Sequence, residues 1–197
     1  MADLILASGS AARAAMLRAA GLKFEIDRPS VDEEAVKASL RAEGLIPRDQ
    51  ADALAELKAI SVSRRRRGLV IGAGQMLALE GEVFDKPADR EEARAHLMRL
   101  RGRQHTLVTA AVIARDGVPL WRRIETPKLT MRNFSDQFLD SYLDAAGREV
   151  LASVGAYQLE GLGAQLFDSV EGDYFSILGL PLLAVLAFLR THGGAPA

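Results

Sequence analysis

Apolar positions along this chain change period several times, and the changes outline its elements. Leu4 to Ala7 is a short continuous apolar run, the pattern of a buried strand, and "SGSAARAAMLRAAG" reads as the turn and helix after it. Ser8 or Ser10 is placed to cap that helix and Gly21 to stop it. Lys23 to Ile26 reads as a second strand. "VDEEAVKASLRAEG" predicts a helix that opens on three acids, Asp32, Glu33 and Glu34, where the helix dipole favours negative charge. Pro47 restarts the chain into a longer helix, "RDQADALAELKAISVSRRRRG".

Leu69 to Ala73 is apolar and predicts a strand, and Glu80-Gly81 stands where a hairpin turn belongs. Asp89, with Glu92 three residues on, makes a capping-box-like start for "DREEARAHLMRLRG", which Gly102 ends. Two strands follow, Gln104 to Ala114 and Val118 to Met131, joined at Asp116-Gly117, and then a helix from about Ser135 to Ala145. The segment "SVGAYQLEGLGAQLFDSVEGDYFSILGLP" is punctuated by glycines, and Pro181 suits the first turn of a closing helix. Strands and helices alternate, with a hairpin in the middle, which predicts an α/β fold with a mixed sheet. No internal repeat or low-complexity linker interrupts it, so residues 1–197 read as one domain with a frayed tail from about residue 192.

Bulk composition narrows the function classes. A chain of 197 residues with 49% hydrophobic content can bury a core for one domain or a two-lobed one. The formal net charge is −1, from 25 basic and 26 acidic residues, so no global field favours nucleic acid or an anionic membrane, and any anion site is local. With 0 cysteines there is no disulfide framework, thiolate metal site or thiol nucleophile, which fits a reducing compartment. The start "MADLILASGS" carries an acid at Asp3 and an apolar run too short for a signal peptide. "ILGLPLLAVLAFLR" contains Pro181 and is shorter than the roughly 20 residues a membrane span requires. A soluble cytoplasmic protein, without membrane or stable nucleic-acid partners, is the expectation.

Several segments carry residue types suited to chemistry. In "LASGSAAR" small residues at a strand-to-helix turn expose backbone N–H groups at a helix start, an arrangement suited to phosphate, with Arg13 close enough to point back at it; tight packing alone also accounts for them. Asp32, Glu33 and Glu34 offer oxygen ligands for a divalent cation, or simply complement the helix dipole. Lys58 lies beside a stripe of Leu54, Leu57 and Val62 that reads as buried, which would set its ammonium beside a core face; a solvated lysine is the other reading. Lys86, between Asp85 and Pro87, is presented from extended backbone because the proline after it disfavours the helical region. Gly72-Ala73-Gly74, where the apolar run ends, leaves room for a group to lie against the backbone. The arginine run Arg64 to Arg67 lacks interleaved aromatics and reads as a solvated helix end. The three histidines, His96, His105 and His192, have no metal spacing, and neither a Gly-x-Ser-x-Gly elbow nor a Walker loop is present.

In their order, "LILASGSAARAAMLRAAGLKFEI", "VDEEA", "LAELKA", "VIGAGQMLALEGEVFDKP", "LRGRQHTLVTAAV", "SVGAYQLEGLGAQLF" and "VEGDYFSILGLPLLAVLAFLR" resemble the Maf family of nucleoside triphosphate pyrophosphatases over nearly the whole chain. The resemblance implies an elongated twisted mixed sheet with helices on both sides, like the inosine triphosphate pyrophosphatases, and two lobes around a nucleotide cleft. It further implies hydrolysis between the α and β phosphorus atoms, cleansing the nucleotide pool, with a divalent cation (Mg²⁺ or Mn²⁺), and a homodimer. Carried over, Ser8, Ser10, Arg13, Lys58 and Lys86 would serve the phosphates and Glu33 the metal or the water. Two departures stand out. The family's Ser-Pro-Arg-Arg is here Ser10-Ala11-Ala12-Arg13, one arginine short, and the aspartate taken as the family's proton acceptor is here Gly74. Gln75 and Glu160 resemble, as base-recognition residues, the branch that prefers 7-methyl-GTP.

Overall fold

A computed structural model describes residues 3–195 of the chain. Strands are β1 (Leu4–Ala7), β2 (Glu25–Ile26), β3 (Leu69–Leu79), β4 (Glu82–Phe84), β5 (Gln104–Arg115), β6 (Val118–Glu125), β7 (Lys128–Met131) and β8 (Phe167–Glu171). Helices are α1 (Ala11–Ala19), α2 (Glu33–Ala42), α3 (Pro47–Ser63), α4 (Arg90–Leu100), α5 (Asp136–Ala146), α6 (Tyr174–Ile177) and α7 (Leu182–Thr191). The open mixed sheet runs β2-β1-β3-β5-β7-β8, with β4 on β3 and β6 on β5. The first three strands are parallel, and the β3–β4, β5–β6, β5–β7 and β7–β8 pairs are antiparallel. This is the α/β class that the alternating pattern predicts. No helix among the described residues is long and apolar enough to cross a membrane.

The chain divides into two compact units. The first comprises residues 1–75, 109–125 and 173–197, and the second residues 76–108 and 126–172. In the first unit both faces of β1 and β3 are covered, which is why these strands read as unbroken apolar runs. Leu4, Leu6, Leu69, Ile71 and Ala73 pack with Leu17 of α1 and Val185 and Leu189 of α7. On the alternate positions Ile5, Ala7 and Val70 meet Val62 of α3. The tail expected to fray is packed as far as it is described: Gly194 N–H donates to the Leu189 carbonyl and Ala195 is buried in the core, while residues 196–197 lie outside the described residues.

Local sequence accounts for most boundaries. Ser10, Asp32, Asp89 and Ser135 cap α1, α2, α4 and α5 by accepting from backbone N–H groups. Three expectations are corrected. The strand predicted over Val118 to Met131 is broken into β6 and β7 around Pro127, which has no N–H to give a ladder. The helix after Pro47 ends at Ser63, so the arginines lie beyond it. The strand starting at Leu69 runs on to Leu79, which puts Gly72 and Gly74 in mid-strand rather than at its end.

In the second unit a 3₁₀ turn at Gly147–Ala152 leads into the glycine-punctuated stretch, which forms two more, at Val154–Ala156 and Leu162–Leu166, before β8. Beneath it His105 is buried, its Nε2 2.8 Å from the Tyr157 hydroxyl and its Nδ1 without a partner among the described residues. Burial lowers the His105 pKa to about 4, so the folded chain keeps it neutral while the unfolded chain protonates it near 6.5. The unfolded state therefore binds more protons between those values, and stability is lost as pH falls through that window, by roughly 3 kcal/mol at most. Tm measured from pH 7 down to pH 4.5 is expected to fall, and His105→Gln, which cannot titrate, to flatten that part of the profile.

Candidate active site at the first strand-to-helix turn

The site is built on the first unit. Ser8 leaves β1 buried, and its Oγ accepts from the Ser10 N–H at 3.2 Å and from Arg13 Nη1 at 3.1 Å. Ser10 caps α1 by accepting from the Arg13 N–H. Arg13 is turned inward by the first turn of α1, 8% exposed, donating through Nε to the Gly179 carbonyl at 2.7 Å and through Nη1 to the Ala73 carbonyl at 3.3 Å. Lys58, from the buried face of α3, donates to that same Ala73 carbonyl at 3.5 Å and pairs with Glu33 Oε2 at 2.7 Å. The Ala73 carbonyl is thus shared by two buried cations from different helices.

Electrostatics bind these groups into one cluster. Burial lowers the Arg13 pKa to about 10, with the Glu33 charge opposing the shift, so Arg13 stays protonated at neutral pH. At Glu33 burial pushes the pKa up, but the adjacent Lys58, with Arg13 and Lys37 behind it, outweighs burial and holds the carboxyl below its usual range. Lys37, buried and paired with Glu34 at 2.8 Å, is a cation that the sequence reading missed; its signal was the three- and four-residue spacing from Glu34 and Glu33 on one helix.

The two glycines play a different part from the one expected. Positions 72 and 74 face α3. A Cβ on Gly72 would stand 2.2 Å from the Ala55 carbonyl oxygen, and one on Gly74 would stand 2.3 Å from that of Ala51. What lies against this backbone is helix α3, seated through Ala51, Ala55 and Ala59 at helical spacing. The room read from the glycines is therefore filled by protein. An aspartate at position 74 fits only if α3, which carries Lys58, moves away.

Gln75 is half-buried, its Nε2 within 2.8 Å of Thr109 Oγ1 and 3.1 and 3.0 Å of the Ser176 and Ile177 carbonyls. Those carbonyls can only accept, so the amide nitrogen is committed and Oε1 is the atom left to offer a ligand. Lys86 and Glu160 belong to the second unit: Lys86 is exposed just past β4, and Glu160 is exposed in the turn before the last 3₁₀ segment. Among the described residues no group of three or more His, Cys, Asp or Glu is arranged to hold a metal ion.

A parallel β1–β3 core with a capped turn, an inward arginine and a lysine from the third helix defines the class to which the chain belongs: it is a member of the Maf family, whose model, described as Maf-like protein, matches residues 3–192. It is 60% identical over 190 residues to a protein of Paramagnetospirillum magneticum named nucleoside triphosphate pyrophosphatase, covering 96% of this chain and 98% of that one. A protein of the same name from Caulobacter vibrioides is 55% identical over 98% of this chain and 97% of its own. A protein of Mesorhizobium japonicum named 7-methyl-GTP pyrophosphatase is 54% identical over 96% of each chain.

The seating of α3 makes a direct prediction. Gly74→Ala is expected to cost about 1–3 kcal/mol, because the new methyl meets a backbone oxygen that cannot rotate away. Gly161→Ala, where the nearest atom to a new Cβ is 3.9 Å away, should leave Tm unchanged. Thermal unfolding of the two variants compares them; equal Tm values would mean that α3 yields freely.

Proposed function

We propose that the protein is a nucleoside triphosphate pyrophosphatase. Water bonds to the α phosphorus, the oxygen bridge to the β phosphorus breaks, and nucleoside monophosphate and pyrophosphate leave. The observation that carries this reading is the convergence of Arg13 and Lys58 on the Ala73 carbonyl beside a capped helix start. The lowered pKa of Arg13 corresponds to roughly 3 kcal/mol of bias against its charged form. A polyphosphate along the Ser8–Ser10 turn would supply the negative charge that a neutral carbonyl lacks. Cations already in position stabilise charge that builds on the leaving pyrophosphate without reorganising at the moment of reaction.

Glu33 is ionised at neutral pH and meets Lys58 through Oε2, with its side chain 45% exposed. It is the group proposed to orient the water or to hold a divalent cation. Mg²⁺ is commonly bound by one or two carboxylates together with substrate phosphates and waters, so a single carboxylate fits that ion, which would neutralise phosphate charge. For the base, Gln75 Oε1, in the same unit as the turn, is an acceptor. That supports a guanine edge, with its adjacent N–H donors, and 7-methyl-GTP as a candidate substrate. Gly74 favours a second reading, nucleotide binding without turnover, since loss of a general base typically costs about 10²–10⁴ in rate.

Incubation of the purified protein with Mg²⁺ or Mn²⁺ and GTP, 7-methyl-GTP, UTP or dTTP is expected to release pyrophosphate from at least one of them. Lys58→Met should lower kcat by about 10²–10³. If no nucleotide is cleaved but one raises Tm, as a ligand selective for the folded state must, the second reading holds. Neither turnover nor a Tm shift would overturn both. Gly74→Asp is a poor substitute for these tests, because an inactive variant would follow from a displaced α3 as readily as from an inactive site.

A further inference from the structure

The turn between β1 and α1 has a second arginine against it that comes from neither flanking element. Arg28 lies in the segment joining β2 to α2. A Cβ built on Gly9 would stand 3.3 Å from Arg28 Nε, 3.6 Å from Cζ and 3.7 Å from Cδ, so the Arg28 side chain lies along the turn in the space a side chain at position 9 would occupy. Gly9 sits between Ser8 and Ser10, whose side chains meet Arg13 from within. Arg13 is buried behind the turn and Arg28 is exposed in front of it.

Backbone bonds and ion pairs hold Arg28 there. The Asp27 N–H donates to the Leu6 carbonyl at 3.1 Å, which docks the segment on β1. Arg65 pairs with the Asp27 carboxylate and donates to the Arg28 carbonyl at 3.0 Å, while Arg66 pairs with Glu25 and with Asp27. Two arginines of the run are thereby spent on bracing the segment that carries Arg28. The Arg28 guanidinium itself has no hydrogen bond or ion pair among the described residues. A fixed backbone, an unpaired fork of donors and a capped helix start beside it form a geometry for gripping phosphate oxygens in pairs.

We propose that Arg28 is a substrate-binding residue that grips the polyphosphate from outside the turn, supplying a guanidinium that helix α1, with alanine at position 12, does not carry. The inference rests on the nucleotide reading above and adds the residue that would set triphosphate affinity. Arg28→Ala, Arg28→Lys and the control Arg67→Ala, which removes the same charge from an exposed arginine of the run, should be titrated with the α,β-methylene analogues of GTP and UTP and with GMP, following Tm. Arg28→Ala is expected to weaken binding of the better analogue about tenfold or more. Arg28→Lys should fall between it and the unaltered protein, GMP should be affected less, and the Tm without ligand should not move. If Arg28→Ala binds the analogue no more weakly than Arg67→Ala, or if Arg28→Lys equals the unaltered protein, the proposed grip is wrong and the nucleotide reading stands. If the unaltered protein binds neither analogue, both fail together.

Discussion

The seat of α3 on β3 is the constraint from which the site follows. Two glycines two positions apart on one face of the strand let the helix backbone come close enough for carbonyl oxygens to occupy the place of side chains. That separation fixes the line of α3, and with it the reach of Lys58 to the Ala73 carbonyl and to Glu33. Because interiors are packed without slack, an added methyl at position 72 or 74 has nowhere to go. Gly74 is thus part of the scaffold that positions the lysine.

Around that seat the electrostatics are economical. Arg13 and Lys58 are each buried to a degree at which an unpaired charge would be costly; Arg13 is met by the Gly179 and Ala73 carbonyls and by Ser8, and Lys58 by the Ala73 carbonyl and Glu33. Of Ser8 and Glu33 only Glu33 carries charge, and it is also the more exposed of its own pair. The low pKa of Glu33 suits holding a cation or orienting water better than it suits strong basicity.

Much of this was legible in the chain. The caps at Ser10 and Asp89 and the hairpin at Glu80-Gly81 follow from local pattern, because each depends on neighbours in sequence, while the gathering of Ser8 with Arg13, Glu33 and Lys58 from three helices was implied by motif order through the family resemblance alone. What was not legible depended on distance through space. The glycine pair on β3 looked like vacancy because a sequence does not say which helix will fill it. The strand after Asp116 looked continuous because its apolar content outweighed its two prolines, Pro119 and Pro127, of which only the second marks the break. Arg28 carries no signal beyond the extended backbone imposed by Pro29. Its importance rests on Gly9, which is nineteen residues earlier by numbering and beside it in the fold.

The arginine run that looked like a solvated helix end fastens the β2-to-α2 segment through Asp27 and Glu25. Those pairs are open to water, so their grip weakens as ionic strength rises and the Debye length shortens. Salt would then reach the turn by two routes, thinning the attraction between guanidinium and phosphate and loosening the strap that holds Arg28 in front of Gly9. A chain with almost no net charge can in this way have a site that feels the electrolyte strongly.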